Sequence, residues 1–215
     1  MIQLEVWGPY ALFTRPEFKV ERASYDVPTP SAARGIVESL YYHPGIRWHI
    51  RRIYVLNPIE FTTIRRNEVK SKILGRAAMR IAQGTEDEPY LVTTKQIVQR
   101  ASMVLTNVHY VIEAEFEMLP EKAAPGDNPG KFQDIVTRRM RKGQCFSTPY
   151  FGCREFPAHF KQWEGGPIPT IDETRDLGFM LYDFDYSDPQ NITPLYFRAK
   201  MEHGVIQVAG CEVFK

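Results

Sequence analysis

The chain has 215 residues, 43% of them hydrophobic and 13% aromatic, with a formal net charge of +1. That composition supplies a core for one large domain, or for one domain with a small appendage, and excludes a disordered polymer. No run of about 18 apolar residues is present to span a bilayer, and the opening MIQLEVWGPYALF reads as a strand rather than a leader, so a cytoplasmic protein with no membrane partner is expected. Cys145, Cys153 and Cys211 are widely spaced and form no CxxC pair. Reduced thiols are therefore expected, with neither a disulfide framework nor a metal site.

Residues 2–8 read as a first strand. Thr29-Pro30-Ser31 then opens a helix that must stop before Pro44. Its buried stripe is Ala33, Ile36, Val37 and Leu40, and Arg34, Glu38 and Tyr41 form a neighbouring stripe. Tyr41 thus stands near the helix end, beside the buried face and able to reach solvent. Trp48 to Ile64 reads as extended, broken at Asn57-Pro58, and residues 65–100 as a protruding, partly helical excursion with an acidic TEDEP turn.

The clearest strand is Val104 to Met118, with Val108, Tyr110, Ile112, Ala114 and Phe116 on one side and His109, Glu113, Glu115 and Glu117 on the other. In the next segment, NPGKFQDIVTRRMRKG, Asp127 or Asn128 caps a helix, Pro129 suits its first turn and Gly143 its stop. Phe132, Ile135, Val136 and Met140 make that helix's apolar face, and Lys131 sits in the first turn, where free N–H groups favour an anion. A further strand is expected around Gly152 to His159. After the GGPIP linker, the segments LGFMLYDFDY, PLYFRAKM and GVIQV suggest a small antiparallel β unit. The order strand, helix, strand, strand, helix, strand is the ferredoxin-like α+β arrangement, whose open sheet face commonly holds RNA.

Charge is unevenly spread. Between Arg34 and Arg80 ten Lys/Arg face three Asp/Glu, whereas residues 161–215 carry nine acids against five bases. Such separation suits one surface built for a polyanion. Candidate phosphate contacts are Arg34, Arg47, Arg51, Arg52, Arg65, Arg66, Lys70, Lys72, Arg76 and Arg80, joined by Arg138 and Arg141 of the basic helix. Trp48, Tyr42 and Phe132 offer flat surfaces for unpaired bases.

Five segments, in order along nearly the whole chain, are GPYALFTRPEFKVERASYDVPTPSAARGIVESLYYHP, GKFQDIVTRRMRKGQC, GCREFPA, DLGFMLYDFDY and FRAKMEHGVI. Together they resemble the CRISPR-associated type I-C (Dvulg subtype) crRNA-processing endoribonucleases of the RAMP superfamily. The resemblance implies a ferredoxin-like domain, here residues 1–160, and a small C-terminal antiparallel β domain, residues 161–215. It also implies metal- and cofactor-free cleavage of precursor CRISPR RNA within the repeat, beside a stem-loop. The product stays bound by its 5′ handle, and the protein joins the backbone and large subunits of a Cascade complex. Double-stranded DNA is a further candidate partner, and an RNA-binding scaffold that cuts weakly or not at all is the rival reading.

In that family, catalysis rests on a tyrosine near the end of the first helix and a lysine followed by a histidine at the start of the second. Tyr41 and Lys131 match, but the histidine position holds Phe132. Phe132 also fits the apolar face of its helix and reads as core. Two explanations stand open. Either Tyr41 and Lys131 suffice, with Lys131 helping the phenol ionise and Phe132 stacking a base, or another histidine substitutes. His43 is preferred and His109 is second, with His49 and His159 behind them.

Overall fold

The computed structural model describes residues 1–18, 20–71, 74–84 and 92–215. Lys72 and the TEDEP turn fall outside the described residues. The elements in chain order are β1 (Ile2–Ala11), β2 (Arg22–Ala23), α1 (Pro30–Leu40), β3 (Ile46–Val55), β4 (Glu60–Val69), α2 (Gly75–Ala82), α3 (Thr93–Gln96) and β5 (Ile97–Met118), and then α4 (Pro129–Lys142), β6 (His159–Gln162), β7 (Arg175–Asp185), β8 (Thr193–Glu202), β9 (Val205–Gln207) and β10 (Val213–Phe214). Among the described residues these strands join one mostly antiparallel sheet, with the order β10-β8-β9-β3-β5-β1-β6 along its main path. No described helix is long and apolar enough to cross a membrane.

Strand β5 runs 22 residues and changes partners midway. Its C-terminal half lies between β1 and β3, and its N-terminal half pairs with β4. Asn107 sits at the change with φ 49°, a left-handed conformation that asparagine tolerates better than most residues. The Asn57 side chain donates to the Asn107 carbonyl at 2.8 Å, which ties the break between β3 and β4 to the bend in β5.

Both main helices begin as their sequences direct. Thr29 accepts the Ala32 N–H at the start of α1, and the Asn128 Oδ1 accepts the Lys131 N–H at the start of α4. Gly143 closes α4 at φ 62°, a conformation that costs glycine little. Helix α1 buries Ala33, Ile36, Val37 and Leu40, and α4 buries Phe132, Val136 and Met140. Apart from the small Ala33, each such side chain contributes about 1.5–3 kcal/mol when removed from water. These residues share one core with Leu4 and Val6 of β1 and with Tyr110, Ile112 and Ala114 of β5, so both helices cover the same face of the sheet.

The strand expected over 152–159 forms later, at His159–Gln162. The preceding segment turns instead, because Gly152 has φ +76° and lies so close to β1 that an added Cβ would stand 2.0 Å from the Leu12 carbonyl oxygen. Backbone contact with Leu12 and Phe13 replaces ladder pairing there. Strands β7 and β8 form a long hairpin, and β9 connects it to β3.

Candidate active site

The C-terminal end of α1 and the N-terminal turn of α4 meet over Trp48 of β3 and Phe116 of β5. Strand alternation points both of these side chains toward the helices. Phe116 packs edge-on against Trp48, with ring centroids 5.4 Å apart, and against Phe132, at 6.2 Å. Upon this floor sit Tyr41, 5.9 Å from Phe132, and His43, 4.9 Å from Phe132. The tyrosine and histidine rings lie nearly parallel, 6.4 Å apart. Lys131 Nζ stands 5.9 Å from the Phe132 ring and Arg139 is 5.1 Å from the Tyr41 ring. Four residues expected from the sequence to act together (Tyr41, His43, Lys131 and Phe132) therefore form one cluster.

Their individual settings correct several expectations. Phe132 is 1% exposed and Trp48 3% exposed, so neither presents a face to an unpaired base. Trp48 instead donates its indole N–H to the Tyr41 carbonyl at 3.1 Å and holds the end of α1. Tyr41 itself is only 8% exposed, because it caps α1 against the core rather than following the solvent-facing stripe of Arg34 and Glu38. Burial pushes its phenol above a tyrosine's ordinary value, and the nearby cations Lys131 and Arg139 do not offset that rise. Lys131 lowers the phenol in the expected direction, but by less than burial raises it, so Tyr41 stays protonated at neutral pH.

Two residues of the cluster were not singled out as site residues from the sequence. Arg139 donates to the Leu40 carbonyl, which satisfies an end group of α1 while the guanidinium covers the Tyr41 ring. Asp127 receives Lys131 Nζ on Oδ1 at 2.8 Å and the Ala124 N–H on Oδ2 at 2.8 Å. Its Oδ2 also lies 3.7 Å from His43 Nε2. The Lys131 bond, followed by the Ala124 N–H, holds the Asp127 carboxyl below the usual carboxylate range, and the same bond raises the Lys131 ammonium. The signal available in the sequence was the i, i+4 spacing of Asp127 and Lys131; capping alone gave Asp127 no further role.

His109 and the candidate arginines lie elsewhere. His109 is on the opposite face of the sheet, bonded to Glu5 at 2.9 Å and set against Trp7. His159 stacks on that same Trp7, and His49 bonds Glu117 at 3.1 Å. A bulge after Ile50 brings the consecutive Arg51 and Arg52 to this open face, where they meet Glu115 at 3.1 Å and Glu113 at 3.3 Å. Tyr54 and Gln3 also donate to Glu113, at 3.2 and 3.1 Å, so the acidic row of β5 is matched almost group for group. Arg34 is committed to Asp183 and Glu38, linking α1 to β7. Arg66 bonds Glu155 at 3.2 Å, and Arg141 lies against Gln162 and Glu164. Among the described residues Arg47, Arg65 and Arg138 are exposed and have no ion pair or side-chain hydrogen bond. Arg47 also edges a cleft of about 710 Å³ between β3 and β7, lined in part by Trp48.

An α+β sheet with helices on one face and a phenol, an imidazole and an ammonium gathered at their meeting ends is the frame in which relatives are recognised. Residues 1–209 match the family model described as CRISPR-associated protein (Cas_Cas5). The chain belongs to that family. It is 45% identical over 214 residues to the protein named CRISPR pre-crRNA endoribonuclease Cas5d of Mannheimia succiniciproducens, covering 96% of this chain and 94% of that one. A protein of the same name from Thermus thermophilus is 37% identical over 224 residues, covering 96% and 90%. A solved structure titled Crystal Structure of CRISPR-associated Protein shares the fold, with a TM-score of 0.70 at 23% identity, over 100% of this chain and 96% of that one.

Proposed function

We propose that this chain is a metal-independent endoribonuclease that cleaves precursor CRISPR RNA within the repeat, beside the stem-loop, and retains the 5′ handle as a Cascade subunit. The observation that carries this reading is the meeting of Tyr41, His43 and Lys131 over Phe132 in a member of this family. The names of the two curated relatives support the substrate class. The strand order β6-β1-β5-β3, with α1 and α4 on one face, supports a ferredoxin-like N-terminal unit of residues 1–160 ending in β6. The β7–β8 hairpin supports a small β unit over residues 161–215. Cytoplasmic residence follows from an RNA substrate, and contacts with backbone and large subunits and with double-stranded DNA belong to the same reading.

Chemically, the RNA's own 2′-hydroxyl attacks the adjacent phosphorus and the bond to the 5′-oxygen breaks. The products are a 2′,3′-cyclic phosphate and a 5′-hydroxyl. Lys131, half-exposed at the N-terminus of α4, supplies positive charge to the phosphoryl oxygens where the helix dipole already favours an anion. The Tyr41 phenol, kept protonated by burial, donates to the leaving oxygen, and Lys131 and Arg139 stabilise the negative charge it acquires. The proton of the 2′-hydroxyl passes to solvent. Exposed Arg47, Arg65 and Arg138 are open to phosphates, whereas Arg34, Arg51, Arg52, Arg66 and Arg141 must first exchange a protein partner for one.

Single-turnover incubation with a synthetic repeat hairpin in EDTA tests the proposal. Cleavage that persists in EDTA and disappears with a 2′-deoxy nucleotide at the cut supports it; cleavage that requires a divalent metal overturns it. One observation favours a second reading, a crRNA-binding scaffold with weak or no activity: the residue next to Lys131 is the buried Phe132, which cannot move a proton. Tight binding of an RNA that stays intact is the result expected from a scaffold.

A further inference from the structure

We infer that Asp127 is a positioning residue for the cleavage reaction, anchoring Lys131 and, together with the Gly45 N–H, fixing His43 as an Nε2–H hydrogen-bond donor. The inference rests on the endoribonuclease reading for its kinetic consequence, but its structural content stands apart from it. Gly45 donates its backbone N–H to His43 Nδ1 at 3.0 Å. A backbone N–H can only donate, so Nδ1 carries the lone pair and the proton of the neutral ring is on Nε2. That Nε2 faces Asp127 Oδ2 at 3.7 Å, an acceptor that favours the same tautomer.

The groups around His43 agree with this assignment. Tyr41 packs beside it and Phe132 beneath it, and neither offers a charge to the ring nitrogens. Lys131 shares the carboxylate through Oδ1, and Arg139 lies over Tyr41. Asp127 is thus the one carboxylate that Lys131 and His43 share, yet its side chain is 1% exposed and both oxygens are engaged. It is poorly placed to take a proton from RNA and well placed to set the directions of two other groups. Lys131 and His43 project from separate elements, and a carboxylate between them fixes their separation.

The consequence for His43 differs from ordinary acid–base catalysis. A neutral imidazole with Nδ1 occupied and Nε2 protonated offers an N–H to a phosphoryl oxygen without transferring the proton. The same stabilisation by a neutral histidine is used by other enzymes. His43 stands 4.9 Å from the Phe132 ring, so it brings an imidazole to the place where the family's own histidine is absent, but in the role of donor.

Nitrogen-15 spectra of the His43 ring in the full chain, without RNA, test the tautomer directly. The expected result near neutral pH is an unprotonated Nδ1 and a protonated Nε2, with the Gly45 N–H keeping that tautomer in Asp127→Asn while the Nε2 resonance shifts for want of its charged neighbour. A protonated Nδ1 in the unsubstituted protein overturns the inference whether or not the protein cuts RNA, and absence of cleavage with correct spectra counts against the endoribonuclease reading alone. Kinetics then read the role with the repeat hairpin. Asp127→Asn should lower the single-turnover rate about 10²-fold through misplacement, with hairpin affinity held within a few-fold. His43→Gln, which carries an N–H at similar reach, should recover most of what His43→Ala loses. Gln as inactive as Ala, or Asp127→Asn with an unchanged Nε2 resonance and rate, each overturn it.

Discussion

On the open face of the sheet, Arg51 and Arg52 of β3 each meet a carboxylate of β5, whereas at the α1–α4 junction one carboxylate serves both a lysine and a histidine beside a buried phenol. The two regions draw on similar residue types. On the open face, acids and bases come from adjacent antiparallel strands and neutralise each other in register, and exposed pairs of that kind contribute little individually. At the junction the groups come from helix ends, where the Asp127 carboxylate is enclosed and donors outnumber acceptors. Surplus donor capacity suits an anionic transition state, and a satisfied ladder suits a stable surface. On the open face, the carboxylates of β5 already occupy Arg51 and Arg52.

The sharpest way to break this comparison is Lys131→Ala. Removing the junction's principal cation should lower the single-turnover cleavage rate about 10²–10³-fold while hairpin affinity changes only a few-fold. A large loss of affinity at an unchanged rate would place Lys131 in binding instead. Next in size is Tyr41→Phe, expected to cost about 10²-fold in rate with the ring still packed on Phe132. Because burial raises the Tyr41 phenol, the protonated donor is present throughout neutral pH and its contribution is lost only as pH rises through the raised value. The ratio of unsubstituted to Phe rates should therefore be flat from about pH 6 to 9, below an ordinary tyrosine's value. A ratio rising tenfold per pH unit would identify Tyr41 as a base acting through its phenolate.

Glu113→Ala probes the other region. Arg52, Tyr54 and Gln3 all lose their acceptor, so chemical denaturation should show a loss of about 1–3 kcal/mol, with cleavage by the folded protein intact. A rate loss comparable to that of Lys131→Ala would join the open face to the catalytic region. The smallest effect separates free from paired cations. Arg47→Ala should reduce the salt dependence of hairpin binding by about one phosphate contact, a slope change of about 0.7–0.9, and Arg51→Ala by clearly less. Equal changes would show that the ladder opens for RNA.

Reading from residues to elements worked best where local chemistry decides. The Asn128 cap, Pro129 and Gly143 of α4, the Thr29 cap of α1 and the break at Asn57-Pro58 all lie where capping and turn preferences place them. The apolar stripe of α1 is buried as its spacing requires, that of α4 is buried at Phe132, Val136 and Met140 and partly at Ile135, and Phe132 is core, as the face of its helix indicated. Trp48 was misjudged because an aromatic residue among arginines gives no sign of which strand face it occupies. The displaced strand after residue 152 was misjudged because the strain at Gly152 arises only from its approach to Leu12.

The amino-acid order alone therefore determined the limits of α1 and α4, the Val104–Met118 part of a long strand that in fact begins at Ile97, the separation of charge along the chain and the two residues, Tyr41 and Lys131, that match a known catalytic pattern. Only the tertiary structure decided which arginines are free, because pairing depends on strand register and on a one-residue bulge at Arg51 that periodicity does not record. It alone also buried Tyr41, raising its phenol, and brought Asp127 and Gly45 to His43. Burial and the direction of a hydrogen bond are set by neighbours distant in the chain, and no local pattern of residue types encodes them.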